Sequence, residues 1–83
     1  MKILAVSGRV EKYVKSRGLI KKFDKQVRLL EQNPRHPSLN VEVLEPRSHG
    51  IYSFRVDRKY RALFIFREDK QVIEILAVTA HYQ

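Results

Sequence analysis

Residues 51–67, Ile51-Tyr52-Ser53-Phe54-Arg55-Val56-Asp57-Arg58-Lys59-Tyr60-Arg61-Ala62-Leu63-Phe64-Ile65-Phe66-Arg67, alternate in a way that defines two strands and the turn between them. Successive side chains leave a strand on opposite faces, so residues two apart share a face. Tyr52, Phe54 and Val56 therefore oppose Ile51, Ser53 and Arg55, and Ala62, Phe64 and Phe66 oppose Arg61, Leu63, Ile65 and Arg67. The aromatic face needs a second layer to cover it, while the other face carries arginines. Asp57-Arg58-Lys59 is a short polar connection, which makes the pair an antiparallel hairpin.

Upstream, a third strand reads from Leu39 to Glu45, and downstream a fourth from Gln71 to Thr79. The fourth does not sort by parity. Val72, Leu76 and Val78 fall with Glu74, whereas Ile73, Ile75 and Ala77 lead on to His81, so it reads as a central strand that is apolar on both faces. The covering layer comes from the N-terminal half. Lys2 to Val6 is a short buried strand, and Ser7 is placed to cap a helix from about Arg9 to Arg17. In that helix Val10, Tyr13 and Val14 share one face and Gly18 suits a left-handed exit. Ile20, Phe23, Val27 and Leu30 form an apolar stripe on a second helix, from Leu19 to Gln32, which Asn33-Pro34 stops. The expected fold class is α+β, in the order β-α-α-β-β-β, with a helical hairpin packed on a twisted antiparallel sheet.

Eighty-three residues suffice for one core and not for two, so residues 1–83 read as a single domain. Seventeen Lys and Arg against nine Asp and Glu give a charge of +8, which calls for an anionic partner. Nucleic acid, an acidic protein and a membrane surface all fit that demand. Ile3 to Val6 is too short for a signal-peptide core of roughly 7 to 15 residues, and no run reaches transmembrane length, so a cytoplasmic location is expected. With no cysteine, disulfides and thiolate-bound zinc are excluded, and His36, His49 and His81 lack the paired spacing of a metal site. No glycine-rich phosphate loop or nucleophile elbow is present, so neither metal nor cofactor is expected.

Basic residues gather on the helical hairpin and on the sheet, where Arg47, Arg55, Arg58 and Lys59 are candidates for RNA contact. Lysines and arginines on amphipathic helices are equally well explained as a solvated face. Tyr52, Tyr60 and Tyr82 lie close in sequence to the sheet arginines and would offer rings to unstacked bases, although such rings more often pack in a core or at its rim. RNA brings its own nucleophile, the 2′-hydroxyl. Cutting it requires a base for that proton, an acid for the departing 5′ oxygen, and cations for the charge on phosphorus. Glu45, Arg61 and the pair His81-Tyr82 supply those types at or near strand ends. On residue type alone, a structural or merely exposed histidine is the favoured reading of His81, and Glu45 is as readily a solvated strand end. Arg61, set beside an apolar strand core, requires a specific anchor, and a buried ion pair is one such anchor.

The stretch His36 to Tyr82 resembles the C-terminal part of the RelE/YoeB family of toxins from toxin-antitoxin pairs. The resemblance is carried by His36-Pro37-Ser38-Leu39, Glu45-Pro46, Ile51-Tyr52-Ser53-Phe54-Arg55-Val56, Tyr60-Arg61-Ala62-Leu63-Phe64, and Ile73-Glu74-Ile75-Leu76 running into Ala80-His81-Tyr82. It implies a microbial-ribonuclease-like fold and ribosome-dependent cleavage of mRNA in the A site by metal-independent 2′-hydroxyl attack. In the YoeB branch the work falls on a glutamate before proline, an arginine on a central strand and a C-terminal His-Tyr pair. By that resemblance Glu45 is general base, Arg61 holds the scissile phosphate with support from Arg55, His81 is general acid and Tyr82 orients the RNA. The implied partners are a cognate antitoxin with an acidic segment, mRNA and ribosomal RNA, with the toxin a monomer or homodimer. The connection from Glu45 to Arg61 is shorter here than in that branch. The ParE branch shares the fold but poisons DNA gyrase, and a plain RNA-binding module is a third reading of the same basic sheet.

Overall fold

The hairpin anticipated at residues 51–67 forms the middle of the molecule in a computed structural model that describes residues 1–80. Strand β3 (Ile51–Arg55) runs antiparallel to β4 (Tyr60–Arg67), with Phe54 opposite Ala62 and Tyr52 opposite Phe64. On the other side, β4 pairs antiparallel with β5 (Val72–Ala80). Two strands of two residues each complete the sheet, β1 (Lys2–Ile3) beside β5 and β2 (Glu42–Val43) beside β3, in the spatial order β1-β5-β4-β3-β2. The sheet is mixed rather than wholly antiparallel, because β1 lies parallel to β5. The helical hairpin carries the chain from β1 at one edge of the sheet to β2 at the other, and the antiparallel run β2 to β5 then returns to lie beside β1. Edge strands this short leave few unpaired backbone groups exposed to another chain.

The ambiguous parity of the last strand has a local cause. Leu63 pairs with Ala77 and Phe64 with Ile75, so Leu76 is an extra residue, a β-bulge that shifts the alternation by one. Ile73 and Ile75 before it and Val78 after it all reach the core, while Leu76 stays 39% exposed. β5 is interior, flanked by β1 and β4, as its apolar content requires.

Helix α1 (Gly8–Ser16) starts where Ser7 accepts a hydrogen bond from the Val10 amide at 3.2 Å. It ends with Gly18 at φ +66°, where the Gly18 amide donates to the Lys15 carbonyl and the Leu19 amide to that of Val14, the paired bonds of a left-handed helix end. Helix α2 (Ile20–Gln32) is turned about one position from the expected stripe. Leu19, Phe23, Gln26 and Leu30 are the buried residues, Val27 is half-buried and Ile20 is exposed. A polar side chain fits that place because Gln26 Nε2 donates to the carbonyls of Ser38 (3.2 Å) and Arg55 (2.8 Å).

The two helices cover the face carrying Phe54, Phe64 and Ile73, all with no exposed surface. Phe54 lies between Phe23 (ring centroids 6.5 Å) and Phe64 (5.9 Å). Tyr52 packs on Phe64 and Phe66, and Tyr60 meets Tyr13 edge-on, so both tyrosines stand on the helix side of the sheet as packing groups and away from the arginine face. The strand expected over Leu39 to Glu45 is mostly replaced by a 3₁₀ turn, Pro37–Leu39, leaving only Glu42–Val43 paired. Asn40 ends that turn in the left-handed conformation (φ 45°), which its short polar side chain tolerates.

Asp57 organises the β3–β4 connection, since its Oδ1 accepts from the amides of Lys59 and Tyr60, both at 2.8 Å, and Oδ2 sits 3.4 Å from Lys22 Nζ. Burial pushes the carboxyl up, but the two amides and the ammonium outweigh it and hold its pKa below the ordinary carboxylate value. A carboxylate whose pKa falls on folding adds stability above its unfolded pKa and loses it as pH drops through the folded value. Asp57→Asn keeps the acceptor oxygen and removes the charge, so the wild type should exceed it in stability at pH 7. That gap should close between about pH 4 and pH 2. Denaturant titrations across that range measure it, and an unchanged gap at pH 2 would refute the assignment.

Candidate active site

Arg61 stands in β4 among Tyr60, Ala62 and Leu63, and strand alternation directs it to the face opposite the helices. On that face its neighbours follow from the register: Arg55 and Thr79 lie directly across from it, and Ser53 and Ala77 flank Leu63 one step along. Arg61 is only 5% exposed, and the required anchor is present. Nε donates to Ser53 Oγ at 2.8 Å, and Nη2 donates to the carbonyls of Asn40 (2.5 Å) and Ser53 (3.2 Å). The left-handed turn at Asn40 delivers the first of these carbonyls. Glu42 Oε1 lies 3.8 Å from Nη2.

Burial pushes the Arg61 pKa down, Glu42 raises it and Arg55 lowers it, for a net value below the ordinary one. A guanidinium so placed still carries its charge, since arginine does not deprotonate in proteins. Glu42, Leu44, Ser53, Arg61, Leu63 and Thr79 line a cavity of about 310 Å³ that extends to Ala80 at the end of β5. It combines a fixed cation, a half-exposed carboxylate and two hydroxyls on an apolar floor. A larger hollow, about 450 Å³, lies between the Pro34–Pro37 turn and the rings of Tyr52, Phe64 and Phe66, and its lining includes no carboxylate.

The residues singled out from the sequence divide accordingly. Arg61 is central and Arg55 is its cross-strand neighbour. Glu45 is not brought to Arg61. It lies past the end of β2, its side chain is 82% exposed, and its described ionic partner is Arg47 at 3.9 Å, in the 3₁₀ turn Arg47–His49. Arg58 and Lys59 occupy the exposed β3–β4 turn, and Arg47 is likewise exposed. His81 and Tyr82 lie outside the described residues. Among the described residues no three His, Asp or Glu side chains could share a metal ion, and no helix is long and apolar enough to cross a membrane.

Ser53, Asn40 and Glu42 are site residues that sequence reasoning passed over. Glu42 had a signal, a lone acid within the apolar run Val41 to Leu44. Ser53 had a weaker one, the small polar position between Tyr52 and Phe54. Asn40 had none, because its backbone carbonyl does the work.

Solved structures share this architecture. A YoeB/ParE toxin from Agrobacterium tumefaciens superposes with a TM-score of 0.72 at 16% identity, over 99% of this chain and 100% of that one. The RelE of an archaeal RelE-RelB complex from Pyrococcus horikoshii OT3 gives 0.73 at 21% identity, over 95% of this chain and 92% of that one. A chain of the YoeB-YefM complex from Staphylococcus aureus gives 0.69 at 20% identity, over 99% and 98%. No curated protein sequence matches the chain. Residues 7–83 match the sequence profile described as the ParE toxin of the type II toxin-antitoxin system parDE. With nearly its whole length inside that profile and the fold of the RelE/YoeB toxins, the chain belongs to the ParE toxin family and is a toxin of a type II toxin-antitoxin pair.

Proposed function

We propose that this toxin is an endoribonuclease that cleaves ribosome-bound mRNA in the A site by 2′-hydroxyl attack without a metal. The observation that supports this most is the Arg61 cavity, a buried and fully oriented guanidinium next to a carboxylate, open at the end of the strand that runs into His81-Tyr82. Oriented donors stabilise charge that grows in the transition state because they need no reorganisation as it appears. In this reading Arg61 and Arg55 hold the scissile phosphate, His81 protonates the departing 5′ oxygen and Tyr82 orients the RNA. Arg47, Arg58 and Lys59 attract phosphates over a longer range. The partner is a cognate antitoxin whose acidic segment covers the basic surface. Two of the similar structures are complexes of a toxin with YefM or RelB.

The expected result is cleavage of ribosome-bound transcript by toxin that was stripped with EDTA and desalted before the assay, leaving a 5′-hydroxyl on the downstream fragment. Intact transcript under those conditions would rule the reading out. A second reading, inhibition of DNA gyrase, is favoured by one observation: the glutamate before proline that the nuclease branch uses is exposed beside Arg47 and does not line the Arg61 cavity. A supercoiling assay with the same preparation separates the two.

A further inference from the structure

Resting on the nuclease reading, we infer that Gln26 of helix α2 is a positioning residue for Arg61 and Arg55, the two cations of the proposed phosphate site, although it belongs to the layer on the other side of the sheet. Gln26 is 7% exposed, and its Nε2 donates to the Ser38 carbonyl at 3.2 Å and to the Arg55 carbonyl at 2.8 Å. Both partners are acceptors, so only the NH₂ end of the side-chain amide can face them, and its two hydrogens match the two carbonyls. Each carbonyl belongs to a segment that leads to one of the cations. Arg55 is the last residue of β3, and the bond to its own carbonyl fixes the backbone from which its side chain leaves, across from Arg61. Ser38 lies two residues before Asn40, whose carbonyl accepts from Arg61 Nη2.

The link from Ser38 to Arg61 is short and stiff. Within the 3₁₀ turn the Leu39 amide donates to the His36 carbonyl at 3.0 Å and the Asn40 amide to the Pro37 carbonyl at 3.1 Å. His36 Nδ1 accepts from the Ser38 amide at 3.2 Å, and Leu39 has no exposed surface. A shift at Ser38 is therefore passed to Asn40 and from there to the guanidinium, whose other support is Ser53 on β3. Gln26 ties the turn and the end of β3 to the same point on α2, so the two cations keep a fixed separation. A displacement of about 1 Å at a reacting centre can cost roughly 10²-fold in rate, which gives that tie a consequence for catalysis as well as for the fold.

The test compares Gln26→Met, which keeps the length of the side chain and removes both donors, with Val27→Ala, which trims the packing of α2 at the next position and leaves both carbonyls bonded. Two quantities are read on folded protein: single-turnover cleavage of ribosome-bound mRNA against ribosome concentration, and hydrogen exchange of the Arg61 Nε–H by NMR in the free toxin. Gln26→Met should slow cleavage at saturating ribosomes by roughly tenfold to 10²-fold, with little change in the half-saturating concentration, and should speed exchange at Arg61. Val27→Ala should lose stability and change neither reading. The inference is overturned if folded Gln26→Met keeps the wild-type rate or the wild-type exchange, or if Val27→Ala loses as much rate. Should Gln26→Met fail to fold, Gln26→Asn takes its place, because the shorter side chain cannot span both carbonyls, and wild-type behaviour in it is equally fatal. A wild type that does not cleave rejects the nuclease reading instead, while exchange at Arg61 still decides whether Gln26 positions it.

Discussion

Arg61→Met is expected to remove cleavage almost completely and to weaken the fold measurably, and the two effects have separable origins. Methionine keeps the length of the side chain but leaves Ser53 Oγ and the Asn40 and Ser53 carbonyls without their donor. Buried polar groups that lose a partner cost about 1–3 kcal/mol. The gain from no longer burying a charge works against this, so the net loss should sit near the low end of that range. Loss of the cation at phosphorus should lower the cleavage rate by about 10²–10³-fold, as removal of a preorganised donor does elsewhere. Arg61→Lys separates the contributions: it restores the charge but not the fork that reaches Ser53 and Asn40 together. It should recover part of the rate without reaching wild type. Denaturant unfolding and the ribosome cleavage assay measure the two effects. A folded Arg61→Met protein with the wild-type rate would show that the arginine serves only to tie Asn40 to the sheet.

The largest stability effect should come from Phe64→Ala. Phe64 has no exposed surface and touches three other rings, with centroids at 5.9 Å to Phe54, 5.6 Å to Tyr52 and 5.5 Å to Phe66. Truncating a buried phenylalanine costs about 3–5 kcal/mol, through lost burial and the cavity left behind. At roughly 0.05–0.15 kcal/mol per residue, a chain of this size has about 4–12 kcal/mol in total, so one substitution removes a large part of it. The unfolding midpoint should fall by tens of degrees, on the order of 4–8 °C for each kcal/mol. Thermal or denaturant unfolding followed by circular dichroism gives the answer. A loss under about 1 kcal/mol would mean that the sheet does not meet the helices through this cluster.

Those two residues also mark how far local reading of the chain reaches. Phe64 was assigned to the helix-covered face from alternation alone, because the two-residue period is set by backbone geometry. Ser7 and Gly18 were legible for a similar reason: a helix start lacks acceptors for its first amides and a left-handed exit suits glycine, whatever the rest of the protein does. Arg61 was legible as a charge that must be anchored. Its anchors were not, since Asn40 and Ser53 are brought to it by a turn and a register formed between distant segments. The stripe on α2 was misplaced by one position for the same reason, because only tertiary contact shows that Gln26 serves two carbonyls.

The family resemblance drew attention to Glu45 through its proline neighbour; across the strands, Glu42 lies 3.8 Å from the arginine and Glu45 3.9 Å from Arg47. A spacing motif records neighbours along the chain, and a site is made of neighbours across strands. The basic charge, the α+β class and the alternating hairpin follow from composition and periodicity, which depend on each residue and its near neighbours. The parallel placement of β1, the bulge at Leu76 and the approach of Glu42 to Arg61 were decided only when strands paired, because register is a relation between segments far apart in the chain.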